Sequence, residues 1–343
     1  MATITLPWLM DHITDEASAY RFLEGMRWGE EAYCPHCHGT NVVYLNPENG
    51  TSRKTRTGSI SQRRVWKCRD CVKQFSVLTG TVFHGTKISI RTWIFVVFEM
   101  CASKNGVAAR EIERKYGVTN KTAWYMLHRI RAAMEGDGLE AMLGGNGGVV
   151  VADETFVGGS LKNKSKSERA AIREREGGRV GPHENKTTVL SLLDTTTGEV
   201  RSKVIADVAG PTLAKAIAEQ VNMADSVLYT DTAGGYKTVG KEFIDHQAVN
   251  HSDDEYVRYE KTRTITTNRI EGFFSQLKRS IDGTHHRVSA EHLHRYLAEF
   301  DFRYTTRKEN DSERFARLMG QVAGVRLSYR PLIGGVTGRA VTP

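Results

Sequence analysis

Three acidic side chains stand at positions where they could do chemistry together. Asp153 closes the apolar run Val149-Val150-Val151-Ala152, Asp231 closes Val227-Leu228-Tyr229-Thr230, and Glu271 lies in a predicted helix that begins near Asn268. Carboxylates at the ends of neighbouring strands, met by a third from a packed helix, suit hard divalent cations such as Mg²⁺ or Mn²⁺, which take oxygen ligands. Two such ions about 3.5–4 Å apart clamp the attacking and leaving oxygens of an in-line phosphoryl transfer. Any one of these acids taken alone reads equally well as surface charge, so their meaning depends on the elements that hold them.

Residues 149–157 read as a strand, and residues 187–194 and 199–206 as two more, joined by a Thr-Thr-Thr-Gly hairpin turn. Residues 211–221 open with Pro at a first-turn position and continue as a helix. Residues 227–231 form a fourth strand, and 268–281 and 290–304 are helices. Three strands, a helix, a strand and then helices is the element order of a ribonuclease-H-like α/β core. At about 100° per residue, Asn268, Glu271, Ser275 and Lys278 share one sector of their helix. Ile270, Phe273, Phe274, Leu277 and Ile281 take the opposite one. The polar sector carries a metal-capable oxygen and, two turns on, a cation that could hold a phosphate. An ordinary amphipathic helix has the same pattern. Residues 161–186, rich in Lys, Arg and Glu, exceed a simple hairpin connection. They suit a basic arm for a polyanion or a partner subunit, and equally a solvated loop. His246, His251, His285 and His286 flank the Glu271 helix, as site-lining residues or as surface and packing ones.

Nearer the N-terminus, Cys34-Pro-His-Cys37 and Cys68-Arg-Asp-Cys71 are two C-x-x-C knuckles, each supplying half of a tetrahedral zinc site. The segment between them alternates enough at Val42-Val43-Tyr44 and Arg64-Val65-Trp66 to form the strands of a ribbon. A closed four-thiolate site is structural, so Zn²⁺ is expected to hold the fold there and do no chemistry. Cys101 sits in an apolar stretch as a buried hydrophobe. Residues 16–28 and 89–100 read as helices. Residues 106–116, a Gly117-Val118 turn and residues 119–130, opening with a Thr cap, read as a helix-turn-helix. Its second helix would place Asn120, Lys121 and Tyr125 at a DNA groove, with Arg129 a further DNA contact; a helical hairpin without DNA contact is the plainer reading. The Gly-rich stretch 136–148 reads as a linker.

The chain has 343 residues, enough for two or three cores, and Lys and Arg exceed Asp and Glu by eight, with a pI near 9.2. Basic residues crowd 53–73, 162–179 and 278–287, which favours a polyanionic partner. No apolar run is long enough to span a bilayer and no signal peptide opens the chain, so a cytoplasmic protein is expected, associated with the nucleoid when bound to DNA.

Several motifs together carry a resemblance. They are Asp153-Glu-Thr-Phe-Val-Gly-Gly159, Tyr229-Thr-Asp231 with Tyr236 following, Asn268-Arg-Ile-Glu271-Gly-Phe-Phe-Ser-Gln-Leu-Lys-Arg279, Gly283-Thr-His-His-Arg-Val-Ser289 and Leu293-His-Arg-Tyr-Leu-Ala-Glu-Phe300. In this order, behind a zinc ribbon, they resemble bacterial insertion-sequence transposases of the ISXO-like group, which is related to eukaryotic Merlin elements. The resemblance implies that Asp153, Asp231 and Glu271 hold two Mg²⁺ ions, with Asn268 the rival for the third place. Glu271 is preferred because a carboxylate binds Mg²⁺ better than an amide and because of its spacing to Lys278. It implies that Lys278, with Arg279 beside it, contacts the DNA end being cut. It implies cleavage at terminal inverted repeats by water, then attack of the freed 3′-OH on target DNA, by a homodimer or larger assembly on double-stranded DNA. A regulator that kept the fold but lost catalysis, and a structure-selective nuclease, are the alternatives.

The expected fold class is therefore multidomain α+β. An N-terminal helix and zinc ribbon occupy 1–84, a helix-turn-helix 85–135, a linker 136–148, a ribonuclease-H-like catalytic domain 149–310 and a C-terminal extension 311–343.

Overall fold

The computed structural model describes residues 3–45, 63–136, 141–159, 161, 164–175, 186–250, 257–261, 263–329 and 332. The chain divides into two compact units, 1–136 with 308–343, and 137–307.

In the first unit, α1 (Leu6–His12) starts at Thr5, whose hydroxyl accepts from Trp8 N, with Pro7 in the first turn. The α2 helix (Glu16–Trp28) starts at a capping box between Asp15 and Ser18. Three short antiparallel strands follow, β1 (Val42–Tyr44), β2 (Trp66–Cys68) and β3 (Gln74–Phe75), in that order across the sheet. Glu24 ties α2 to this ribbon by accepting from Arg64 Nε at 2.7 Å and Trp66 Nε1 at 2.9 Å. The α3 helix (Ile90–Ala102) is apolar almost all round and forms the middle of the unit, with Cys101 buried as expected. The α4 helix (Ala109–Tyr116) ends because Gly117 takes a left-handed conformation at φ +64°, which needs no Cβ relief. The α5 helix (Asn120–Met134) then starts at Thr119, whose hydroxyl accepts from Thr122 N.

The second unit is built on a five-stranded sheet. Its members are β4 (Gly148–Val157), then, after α6 (Lys166–Arg175), β5 (Thr187–Asp194) and β6 (Val200–Ile205). After α7 (Gly210–Ala218) comes β7 (Ser226–Asp231), and after α8 (Tyr236–Val239) comes β8 (Asp245–Val249). The order across the sheet is β6-β5-β4-β7-β8, antiparallel as far as β4 and parallel from β4 to β8. A separate hairpin, β9 (Val257–Tyr259) with β10 (Thr264–Thr266), leads into α9 (Asn268–Ser280), a π-helical turn at Ile281–His285, and α10 (Ala290–Thr305). The basic insertion between β4 and β5 contains α6; its residues 162–163 and 176–185, and His251, lie outside the described residues.

Strand alternation divides the core of this unit. One face, with Val151, Val189, Leu193 and Tyr229, packs against Ile270, Phe273, Leu277 and Phe300 of α9 and α10. The other, with Val150, Ala152, Leu190 and Leu228, packs against Leu213, Ile217 and Tyr236 of α7 and α8. Asp301 fastens α10 to β6 by accepting from Ser202 N and Oγ, each at 2.7 Å.

The Gly-rich approach to β4, expected as a linker, is tied down where it is described. Leu143 N donates to Gln220 O, Gly144 N to Asp194 Oδ2 and Gly145 N to Ser226 Oγ. Gly144 has φ +76°, and an added Cβ would overlap Ser226 Oγ. Gly144→Ala is therefore expected to destabilise the protein by about 2 kcal/mol or more, from strain and overlap together. Urea denaturation checks this, and an unchanged midpoint would contradict it.

Finally, α11 (Asp311–Gly320) belongs with the first unit, burying Phe315 and Leu318; Phe315 stacks on Phe22 and meets Phe98 edge-on. The α11 part of the stretch expected as an extension thus packs into the N-terminal core. Arg129, expected at a DNA-facing position, is instead 3% exposed. It donates to His84 O at 2.8 Å and lies over the rings of Trp93 and Tyr125. Its Nε finds no partner among the described residues and burial works against its charge, so Arg129 sits in the unit as a packing residue held by one carbonyl and two aromatic faces. Among the described residues no helix is long and apolar enough to cross a membrane.

Candidate active site

The register of β4 against β7 places the first two acids. The parallel pairing runs to Val151↔Tyr229, and Asp153 and Asp231 lie two residues further along each strand. Being of the same parity as Val151 and Tyr229, both belong to the sheet face covered by α9 and α10. They therefore stand at matching heights beyond the paired ends of adjacent parallel strands, where ligands of open α/β sheets usually bind. Asp153 Oδ1 accepts from Glu154 N at 2.8 Å, and Asp231 Oδ1 from Ala233 N at 2.9 Å.

The third acid comes from the start of α9. The apolar face of that helix is buried against the sheet, which fixes its rotation and leaves Glu271, Ser275 and Lys278 on the other side. Glu271 is half-buried in the first turn, and its Oε1 accepts from Thr267 Oγ1 at 3.0 Å. Asn268 is exposed at the first position of the helix. Lys278 and Arg279 are exposed and line an open depression with Ser275, Asp282 and Gly283.

Burial drives the Asp153 carboxyl up to about 7 against the pull of the Glu154 N–H, and the charges of Asp231, Glu154 and Glu271 push it the same way. Asp231 and Glu271 therefore both stand near enough for their charges to act on the buried Asp153 carboxyl. Glu154 is likewise pushed up to about 7, chiefly by burial. It projects towards the opposite core, where its carboxylate faces the phenol of the fully buried Tyr236 without a completed hydrogen bond.

An assembly of crowded carboxylates costs stability until a cation neutralises it. Both acids are raised above their ordinary range, so their protonated forms stabilise the fold at low pH. That contribution is lost as pH rises through about 7. Asp153→Asn is therefore expected to raise the melting temperature of the zinc-loaded, Mg²⁺-free protein at about pH 8 and to matter less at about pH 5. Equal melting temperatures at the higher pH would contradict this.

The carboxylate oxygens are hard donors that suit Mg²⁺ or Mn²⁺. They are more spread than the thiols: among the described residues, only the four cysteines form a group of three or more such ligands within 4.8 Å of one another. In that group Cys34 Sγ lies 3.6 Å from Cys71 Sγ, and Cys37 Sγ 3.6 Å from Cys68 Sγ. The sulfurs of a tetrahedral Zn–S site with bonds of about 2.3 Å stand about 3.8 Å apart, so the cluster matches Zn²⁺.

Other expected residues fall elsewhere. His246 Nε2 pairs with Thr230 Oγ1 at 2.9 Å. His285 packs edge-on to Tyr296, and the exposed His286 pairs with Asp282 O at 2.9 Å. Asn120 and Lys121 open α5, half-buried and exposed respectively. Thr267, which orients Glu271, was not legible as a site residue, because its role depends on the turn that brings its hydroxyl back over α9.

Comparisons with known proteins identify both domains of the chain. Residues 144–305 match the model of the ISXO2-like transposase domain, and residues 14–74 match that of the transposase zinc-ribbon domain. An uncharacterized protein in the transposable element ISH50 of Halobacterium salinarum is 26% identical over 290 residues, 84% of this chain and 90% of the relative. A chain from the cryo-EM structure of a simian T-cell lymphotropic virus intasome, in complex with the PP2A regulatory subunit B56 gamma, is similar at 15% identity and a TM-score of 0.25. The match covers 59% of this chain and just under two thirds, 66%, of that one; at that score the likeness carries nothing further. With both of its domains matched, the chain belongs to the zinc-ribbon, ISXO2-like family of insertion-sequence transposases.

Proposed function

We propose that this transposase cuts DNA at the terminal inverted repeats of its mobile element and joins the resulting 3′-OH to target DNA. The observation that carries the reading is the in-register placement of Asp153 and Asp231 on adjacent parallel strands, with Glu271 acting on the same buried carboxyl. The strand order, with three antiparallel strands followed by two parallel ones and helices on both faces, supports a ribonuclease-H-like core.

Asp153, Asp231 and Glu271 would hold the cations, with Thr267 fixing the rotamer of Glu271. When bound, two Mg²⁺ or Mn²⁺ ions supply charge stabilisation for the attacking and leaving oxygens. Water is the first nucleophile and the freed 3′-OH the second, so no side chain forms a covalent link to DNA. Lys278 lies two helical turns from Glu271, about 10 Å along the axis, and with Arg279 would hold a phosphate of the end being cut. In the first unit, α4 and α5 would act as a helix-turn-helix, with Asn120 and Lys121 at the groove. Because two ends must be brought together, the working form on DNA is a dimer or larger assembly.

The test supplies a pre-cleaved inverted-repeat duplex with a free 3′-OH, a supercoiled plasmid and Mg²⁺ or Mn²⁺. Joined product that disappears without the divalent ion is expected. Nicking of the plasmid without joining would favour a nuclease. End binding with neither reaction would favour a regulator.

A further inference from the structure

Residues 325–329 and Leu332 lie along α5, from Lys121 to Ala132. Tyr125 Oη donates to Leu327 O at 2.7 Å, and the Tyr125 ring meets that of Tyr329 edge-on at 5.4 Å. The ammonium of Lys121 stands 4.6 Å from the centre of the Tyr329 ring. Beneath these contacts Leu327 and Leu332, 6% and 3% exposed, cluster with Ala132, Trp124, Tyr125 and Val325. The approach to the segment is anchored as well: Thr81 bridges Ala323, and Gly324 N donates to Gly80 O. The chain's own C-terminal segment therefore occupies Lys121 and Tyr125, the side chains that a duplex would have to meet on this helix.

We propose that the stretch carrying Val325, Leu327, Tyr329 and Leu332 is an autoinhibitory strap, docked on the DNA-reading helix in the free protein and displaced when the duplex binds. The proposal rests on the reading of α5 as that helix. The contacts suit a reversible strap. Among the described residues, an edge-on aromatic pair, a cation–π contact, a hydrogen bond and two buried leucines, opposed by the cost of ordering the segment, give a docked state that dominates but yields to a polyanion. A phosphate competes directly for the Lys121 ammonium, which the Tyr329 ring holds only by its quadrupole. Binding is weakened by the fraction of molecules with the strap undocked, so freeing the helix strengthens apparent affinity by the inverse of that fraction.

The experiment uses the full-length, zinc-loaded protein and a fluorescein-labelled duplex carrying the inverted repeat, at fixed salt. Tyr329→Ala and the double variant Leu327→Asp/Tyr329→Ala are compared with wild type by anisotropy. The expected result is affinity about tenfold tighter in the double variant, with a smaller gain in Tyr329→Ala. Lys121→Ala is expected to weaken binding in both backgrounds. Circular dichroism confirms that each variant folds, and Tyr329→Ala, at a half-buried position, keeps the test open if the double variant does not.

A second readout follows trypsin cleavage after Arg326 in wild type, which the duplex should accelerate. Unchanged or weaker binding in the folded strap variants, or protection of Arg326 by the duplex, would overturn the strap. If Lys121→Ala has no effect in the variant background, the reading of α5 fails instead, and the strap falls with it.

Discussion

Glu271→Gln is expected to abolish metal-dependent nicking of an inverted-repeat duplex, lowering the rate on the order of 10³-fold or more, while leaving duplex affinity nearly unchanged. The substitution keeps the shape of the side chain and its acceptor for Thr267 Oγ1, so the fold has no reason to change. It removes a charge that acts on the buried carboxyl of Asp153 and would otherwise complete the set of oxygen donors. Asn268→Ala, at the exposed first position of α9, is expected to cost far less. Nicking that survives Glu271→Gln but is lost in Asn268→Ala would place the third ligand at Asn268.

Removing zinc is expected to have the largest effect on stability. Cys34, Cys37, Cys68 and Cys71 sit on a ribbon of three strands, of which β3 has two residues, too little core to stand without the metal. Structural zinc in small peptide domains contributes about 10–16 kcal/mol of apparent binding free energy at neutral pH, and here it would be drawn on for folding. Cys68→Ser, at a buried position, is therefore expected to lose the bound zinc and the ribbon's fold. The contacts of Glu24 with Arg64 and Trp66 would be lost with it. The second unit should keep its own melting transition. A Cys68→Ser protein that retains stoichiometric zinc and its first transition would contradict the closed four-thiolate site.

Much of the second unit is legible in the chain because its signals are local. The apolar run before Asp153, the Thr-Thr-Thr-Gly turn, the Pro at the start of α7 and the two-sided pattern of α9 each specify an element by themselves. From those elements the position of Asp231 at a strand end followed, whereas Asp153 lies inside β4, which runs on to Val157, and the common register of the two acids depends on the pairing of β4 with β7 and had to be seen. The β8 strand escaped because its sequence, Asp-His-Gln-Ala-Val, buries only Val249 and carries almost no apolar alternation. Arg129 was misplaced for a related reason. A basic residue on a candidate DNA-reading helix looks like a phosphate contact until its long-range partners, His84 O and the Trp93 ring, are known. The same limit hid the return of α11, residues 325–329 and Leu332 to the N-terminal unit, since sequence separation conceals contacts made across about 200 residues or more, such as that of Tyr125 with Leu327.

The most direct measurement is Mn²⁺ binding by electron paramagnetic resonance to the zinc-loaded protein on a pre-cleaved inverted-repeat duplex. Wild type is compared with Asp153→Asn, Asp231→Asn and Glu271→Gln. Bound Mn²⁺ in wild type, lost or strongly weakened in each variant while the DNA remains bound, is the expected result. Variants that bind Mn²⁺ as tightly as wild type would contradict a catalytic centre built from these three carboxylates.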